Sequence, residues 1–206
     1  MNQRTTAALI GCLALLVGHH CDGGFERPPG ILAARDPIQS AIASPTQWQH
    51  KGFVFTNVAS YDIEARVLHR RDYPLRWTHH LGFFHQDFEQ FSPLDLALGW
   101  GVMSDSAWID RLEIWQEGRF YVYRPKRGAD LSLAEVGLHS ANVHMVPASD
   151  AIESRLRSVR RGDLVRLEGD LVNVTHPETG WRLRTSLTRT DHACEVLYVR
   201  RFELLD

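Results

Sequence analysis

Alternating apolar and polar residues run through most of the chain beyond its N-terminal quarter and predict half-buried strands. In "YDIEARVLHR", Ile63 and Val67 share one face with other apolar residues, and charged residues occupy the opposite face. The segments "LVRLEGDLVNV", "WRLRTSLT" and "CEVLYVRRFEL" carry further strand patterns. "LEIWQEGRFYVYRP" has β-favouring runs on both sides of Glu117 and Gly118 and predicts a hairpin. The pattern therefore indicates a sheet.

Three segments carry helix signals between these strands. Ser92 followed by Pro93 is a typical helix start, so "SPLDLALGWG" predicts a helix of about two turns. "SDSAWIDRL" predicts a second helix, capped by Ser104 or Ser106. After Ser149, "DAIESRLRSV" places its apolar residues on one stripe and predicts a third helix.

The order of the elements indicates the fold class. From Glu113 onward the chain is predicted as hairpin, strand, helix and then three strands. Small Greek-key barrels of the OB type have such a helix between their third and fourth strands. We therefore predict a mainly β fold (β-rich α+β), either a curved antiparallel sheet or a small OB-like barrel with short helices. It forms a single globular domain over residues 52–206.

The N-terminus has the pattern of an export signal. "MNQR" is followed by 14 residues without charge, "TTAALIGCLALLVG". This apolar run is shorter than the roughly 20 residues that span a bilayer, so a signal peptide is favoured over an uncleaved membrane anchor for residues 1–21. "LIGC" has the form of a lipoprotein cleavage box, which gives lipidation of Cys12 as a third outcome. We expect a protein of the periplasm, or one anchored in the membrane and facing the periplasm.

Residues 22–51 are rich in Gly, Pro, Ala and Ser and show no sustained period. This composition predicts a flexible linker between the leader and the folded domain. The chain has three cysteines, and removal of the leader with Cys12 and Cys21 would leave Cys194 as the only thiol. We therefore expect no disulfide framework and a buried structural role for Cys194.

Size and charge narrow the range of functions. The 206 residues, of which 44% are hydrophobic, suffice for one domain with its own core. With 23 basic and 25 acidic residues the net charge is −2, so we expect no nucleic-acid partner. Membrane contact is expected only through the N-terminal segment, if that segment is uncleaved or lipidated.

The stretch "HSANVHMVPAS" concentrates polar residues on a predicted strand. Ser140, Asn142 and His144 share one face because side chains alternate along a strand. His139 has the opposite parity, so the two histidines cannot bind one metal ion from a regular strand. Ser140 and His144 lie about 13 Å apart, too far for a nucleophile–base pair. The row is either a solvated outer face or the lining of a polar groove.

Two further segments could join such a groove. In "SLTRTDHACEV", Arg189 and Asp191 crowd a tight connection, as a loop-stabilising ion pair or half of an anion clamp. In "SPLDLALGWGVMSDSAW", the small residues around Trp100 allow close backbone approach, so Trp100 is either a core residue or an aromatic ligand platform. Asp105 is a plausible helix cap beside it.

The aromatic segment 71–91 is expected to be a packed loop, and it carries the densest set of potential metal ligands. Its imidazole and carboxylate groups suit zinc or another divalent ion. They are His79, His80, His85, Asp87 and Glu89. Because their spacing matches no metal-binding signature, we predict no metal site and no cofactor.

Three blocks resemble a family of small bacterial envelope proteins to which no activity is attached. They are "SPLDLALGWGVMSD", "HSANVHMVPAS" and "SLTRTDHACEV", within a similarity that extends from Tyr61 to Val199. The resemblance implies a Gram-negative envelope protein with a signal or anchor leader, and it implies no catalytic role for any residue. In this chain the turn at "TDHACEV" lacks the glycine that we expect in the family.

These observations favour an exported envelope domain that binds a small polar ligand or another envelope protein and is not an enzyme. Its expected surface combines the row of Ser140 to His144, the loop from Arg189 to Cys194 and the segment around Trp100. One alternative is a hydrolase or metal-dependent enzyme that uses His144 with an acidic partner, Asp191 or Asp105. Another is a structural accessory subunit of an envelope complex.

Overall fold

A computed structural model describes residues 29–73, 86–188 and 193–205. Over these ranges the chain forms ten strands and four short α-helices. The strands are β1 Ile38–Ala41, β2 Gln47–His50, β3 Phe53–Asp72, β4 Leu94–Gly99, β5 Leu112–Glu117, β6 Phe120–Pro125, β7 Ser140–Pro147, β8 Leu164–Thr175, β9 Arg182–Leu183 and β10 Glu195–Leu205. The α-helices are α1 Gln86–Phe91, α2 Ser106–Ile109, α3 Leu133–Leu138 and α4 Asp150–Ser158, and a 3₁₀ turn covers Gly101–Ser104.

Five of the strands close into a ring in the order β3, β4, β7, β10 and β8, with β8 returning to β3. The 20-residue β3 makes this closure possible, because its first part pairs with β8 and its last part with β4. All neighbours in the ring are antiparallel except β7 and β10, which run parallel. The predicted mainly β class with a curved sheet is confirmed, and the partly closed ring fits an OB-like barrel loosely.

Apolar side chains fill the ring. The alternation predicted along β3 is confirmed, because Ile63 and Val67 belong to the buried core. Helix α4 adds Leu156 and Val159 to the same core, and its predicted cap is confirmed, since the Ser149 hydroxyl accepts a hydrogen bond from the Ile152 N–H. Burial of this apolar surface is the main stabilising term of the fold.

Two smaller clusters cover the outer face of the ring. The hairpin of β5 and β6, together with α2 and α3, packs over one cluster that includes Leu68 and Ala97. Helix α1 contributes Phe88 and Phe91 to the other cluster. The sheet is therefore buried on both faces where β4 and β7 run, and polar side chains pointing outward from these strands are enclosed.

The helix predicted from Ser92 and Pro93 is wrong, because the segment forms β4. All six residues of β4 are buried, with Leu96 in the ring core and Ala97 beneath the outer layer. A strand buried on both faces has no polar–apolar alternation, and its short apolar run cannot be distinguished from a buried helix by period alone.

The flexible linker predicted for residues 22–51 is contradicted over its described part, since β1 and β2 both pair with β3. Residues before β1 are also fixed: the Gly30 N–H donates to Asp105 Oδ1 at 2.9 Å, and the Leu32 N–H donates to Ser104 Oγ at 3.0 Å. Every residue of β1 is exposed, so its sequence carries no apolar signal. Backbone pairing to β3 brings these residues into the domain.

Some of the remaining predicted helices and strands are confirmed, and others are shorter or differ in type. The hairpin and the strands over β7, β8 and β10 are confirmed. Helix α2 exists, and its cap is Asp105, which confirms the cap predicted at that residue and excludes Ser104 and Ser106. The predicted strand "WRLRTSLT" is reduced to the two residues of β9, and the predicted loop 71–91 ends in helix α1. Among the described residues, no helix is long and apolar enough to cross a membrane.

Candidate functional site

The centre of the polar region is a hydrogen bond between two neighbouring strands. Asp95 of β4 lies directly opposite His144 of β7 in the antiparallel register. His144 Nδ1 is 2.9 Å from Asp95 Oδ1, and the two residues are 5% and 0% exposed. Because Asp95 accepts from Nδ1, Nε2 is the ring nitrogen that remains for another partner.

Arg119, at the tip of the β5–β6 hairpin, reaches into the same place. One terminal nitrogen donates to Asp95 Oδ1 at 3.1 Å and the other to the Ser92 carbonyl at 2.9 Å. Its guanidinium carbon lies 3.8 Å from the centre of the Tyr73 ring and 4.0 Å from that of Phe88. The backbone of Arg119 has a φ of 67°, a left-handed conformation that is uncommon outside glycine. The hairpin tip is therefore held by charge, hydrogen bonds and aromatic contact together.

Asn142 lies two residues before His144 on the same face of β7 and extends the network. Its Nδ2 donates to the Arg119 carbonyl at 3.0 Å, and its Oδ1 accepts from Gln116 Nε2 at 2.5 Å. Gln116 Oε1 in turn lies 2.9 Å from His69 Nδ1. These contacts tie the hairpin to β3 and β7, which satisfies polar groups that the outer layer would otherwise leave buried without partners.

Cys194 meets this network at the start of β10. Since β10 runs parallel to β7 with Val196 opposite His144, Cys194 lies beside the outward-facing row of β7. Asn142 Nδ2 is 3.5 Å from the Cys194 sulfur, and the thiol lies 3.7 Å from the Arg119 carbonyl oxygen. Cys194 also contributes, after Asp95, to the raised pKa of His144. Cys194 is partly exposed and forms no disulfide.

The charges around His144 favour its protonated form. Burial disfavours the imidazolium, but the charge and hydrogen bond of Asp95, assisted by Cys194, outweigh it and raise the pKa of His144 to about 9. Burial lowers the pKa of Arg119, an effect that the charge of Asp95 opposes. At neutral pH the carboxylate of Asp95 therefore lies between two cations, and the Cys194 thiol lies beside one of them.

A small cavity opens on the thiol side of this cluster. It has a volume of about 160 Å³, and Asn142 and Cys194 belong to its lining together with Tyr121, Tyr123 and Ser140. The cavity therefore brings the Cys194 thiol together with an amide side chain and tyrosine rings.

The three polar residues predicted to share one face of β7 do so, but that face is not exposed to solvent. Ser140, Asn142 and His144 are 7%, 6% and 5% exposed, because the hairpin and α1 cover them. The solvated outer face is thus wrong. Ser140 and Asn142 belong to the lining of the cavity, whereas His144 is enclosed behind it. The Ser140 hydroxyl donates to the Val136 carbonyl at 2.6 Å, which anchors α3.

The other predicted residues do not join this cluster in the described structure. Trp100 is fully buried in the ring core and donates from Nε1 to Asp36 at 3.0 Å, so it forms no part of the expected surface. Asp105 caps α2 and accepts from the Gly30 N–H. Arg189 and Asp191 lie outside the described residues, in the connection that precedes Cys194.

Sequence reasoning missed the groups that complete the cluster. The sequence pattern predicts Asp95 within a helix. An acidic residue inside the apolar run "LDLALG" is nevertheless a signal, because Asp is rarely fully buried unless it is paired. Arg119 follows a glycine in a turn and carries no sequence signal. Cys194 was assigned a structural role, because adjacency in sequence said nothing about its distance from His144.

No metal site is found in the parts of the chain that the structure describes. His79, His80 and His85 lie outside those parts, as does the side chain of Asp87. Comparison with protein-family models, curated proteins and solved structures finds no match for the chain. Functional inference therefore rests on the cluster itself.

Proposed function

We propose that this chain is a cysteine-dependent hydrolase in which Cys194 is the nucleophile, His144 its proton partner and Asp95 the residue that orients His144. The observation that supports this most strongly is the hydrogen bond between the buried Asp95 and His144, which lies on the strand that pairs with β10 beside Cys194. A nucleophile, a base and an acid that orients the base form a catalytic triad. Such a triad is recognised by its geometry rather than by the positions of its residues in the chain.

The charge of His144 suits a proton partner for a nucleophile. A cationic imidazole near a cysteine favours the thiolate, which is the nucleophilic form. Asp95 keeps the imidazolium protonated and fixes its orientation through Nδ1. Arg119 fixes Asp95 in turn, so the orienting carboxylate is held from two sides.

The reaction that fits these groups is the cleavage of an acyl ester. The Cys194 sulfur attacks the acyl carbon, a C–S bond forms, and the C–O bond to the leaving group breaks as His144 gives its proton to the departing oxygen. Water then attacks the thioester, its proton passes to His144, and the carboxylic acid leaves. The thiolate and the imidazolium are thereby restored. Asn142 Nδ2, 3.5 Å from the sulfur, is the donor that we assign to the oxyanion.

A second candidate is a non-enzymatic module that binds a small polar ligand in the same cavity. The lining of the cavity favours it, because small-molecule sites combine aromatic side chains with a few polar groups, here Asn142 and Glu195. In either case the leader supports export to the periplasm. Helix α4 supports an OB-like barrel, because it lies between β7 and β8, which are the third and fourth ring strands in chain order. An accessory role in an envelope complex has no specific feature of the described surface in its favour.

The reactivity of Cys194 tests the proposal. We would alkylate the full chain with iodoacetamide at neutral pH and follow Cys194 by peptide mass spectrometry. If His144 is the proton partner of the thiol, its removal leaves the sulfur less reactive. We expect His144→Gln to slow alkylation of Cys194 at least tenfold.

Two controls make the result decisive. His176→Gln, a change in the turn between β8 and β9, should leave the alkylation rate of Cys194 unaltered. Cys194→Ser should abolish hydrolysis of 4-nitrophenyl acetate while the far-ultraviolet circular dichroism stays native. An unchanged alkylation rate in His144→Gln, or hydrolysis that survives Cys194→Ser, would rule out the proposed enzyme.

A further inference from the structure

The size of the cavity beside Cys194 limits the group that can react there. Its volume is about 160 Å³. An apolar cavity of about 150 Å³ accommodates benzene. A group of about six to eight non-hydrogen atoms can therefore fill the site, whereas a long acyl chain must extend out of it.

The wall of the cavity is aromatic. The Tyr121 and Tyr123 rings lie 5.1 Å apart at an interplanar angle of 42°, and both side chains belong to the lining. Phe120 stands at the hairpin tip with 60% of its surface exposed and belongs to the lining as well. Aromatic rings gain additional stabilisation when another ring packs against them in such tilted arrangements.

Gly137 of α3 keeps this space open. A Cβ atom at that position would lie 3.3 Å from the Tyr123 hydroxyl, which is closer than an ordinary van der Waals contact. Larger side chains there would project against the tyrosine and reduce the cavity. Gly137 has no left-handed conformation in this structure, so its substitution tests volume rather than backbone strain.

We propose that the site accepts a compact acyl group of about the size of a benzene ring, such as a benzoyl group, and transfers it to Cys194. This inference rests on the proposed function for the transfer step, in which the ester C–O bond breaks, the C–S bond forms and His144 protonates the leaving oxygen. Recognition of the compact group depends only on the aromatic wall and the volume beside the thiol.

The first test compares the 4-nitrophenyl esters of acetate, butyrate, benzoate and octanoate. We expect kcat/KM for the benzoate to exceed that for the octanoate at least tenfold, with a Cys194-linked benzoyl adduct in the mass spectrum of a quenched reaction. Gly137→Val should lower kcat/KM for the benzoate at least tenfold and change that for the acetate less than threefold. Tyr123→Ala should instead raise the rate with octanoate. Equal rates, or rates that rise with chain length, would overturn the inference.

The second test measures binding without catalysis. Benzamide, which is compact, should slow alkylation of Cys194 by iodoacetamide, whereas octanamide at the same concentration should not. If benzamide protects the thiol while no ester acylates it, the compact-ligand site stands and the hydrolase proposal fails. If esters acylate Cys194 in another order and benzamide gives no protection, the hydrolase stands and the compact-ligand site fails. Neither acylation nor protection would refute both.

Discussion

His144 Nδ1 lies 2.9 Å from Asp95 Oδ1, and the same carboxylate oxygen accepts a hydrogen bond from Arg119. Two cationic groups from different elements thus share one fully buried acid. One of them belongs to the strand that borders Cys194, and the other closes the hairpin over the sheet. The network therefore links the stability of the outer layer to the chemistry of the thiol.

Removing the shared acid should destabilise the protein strongly. Asp95→Asn leaves the buried guanidinium of Arg119 without its counter-charge, and breaking a buried pair in this way costs about 3–5 kcal/mol. We expect a fall of this size in the free energy of unfolding, measured by urea titration. Glu113→Gln is the matched control, because the pair of Glu113 with Arg124 is exposed and should contribute less than about 1 kcal/mol. Similar losses in both variants would contradict the role assigned to Asp95.

Stability should fall with rising pH because of His144. Its pKa is raised to about 9 in the folded state, against about 6.5 in an unfolded chain, so the folded state holds this proton more tightly. The stabilisation is fully present below about pH 6.5 and is lost as pH rises through about 9, with a total of about 3 kcal/mol. Urea titrations across this range should show the decline in the wild type and a flatter dependence in His144→Gln. Parallel curves for the two proteins would contradict a protonated His144.

Arg119 should not tolerate replacement by lysine. A single ammonium group cannot bond both Asp95 and the Ser92 carbonyl while lying between two aromatic rings, as the planar guanidinium does. We expect Arg119→Lys to lower the free energy of unfolding by about 1–3 kcal/mol. Arg124→Lys, on the exposed side of the same hairpin, should change it by less than about 0.5 kcal/mol. If both substitutions were neutral, the hairpin would be held by its apolar contacts alone.

Gly169 of β8 should be intolerant of any side chain. A Cβ atom there would lie 2.0 Å from the Tyr198 carbonyl oxygen, beside the register shift between Val199 and Arg201. Because that atom belongs to the backbone of β10, the ring would have to open to relieve the clash. We expect Gly169→Ala to unfold at a much lower urea concentration than the wild type. Gly137→Ala, where the nearest atom is a side-chain hydroxyl at 3.3 Å, should shift the midpoint little.

Much of the fold could be predicted because one-sided burial leaves a period in the sequence. Strand β3 alternates, helix α4 carries one apolar stripe after a serine cap, and the hairpin follows a glycine turn. The sequence pattern did not predict strand β4 because both of its faces are buried, and it did not predict β1 because all residues of β1 are exposed. In both strands the alternation of apolar and polar residues is absent. Only their pairing with adjacent strands identifies them as strands.

The sequence by itself determined which polar side chains share the outward face of β7, since strand parity depends only on position along the chain. It placed Ser140, Asn142 and His144 in one row and separated His139 from them. Only the tertiary structure decided what faces that row: Asp95 from β4, Arg119 from the hairpin and Cys194 from β10. These partners lie 23 to 52 residues away along the chain. Closure of the sheet into a ring brings them within hydrogen-bond distance, and no local spacing encodes that event.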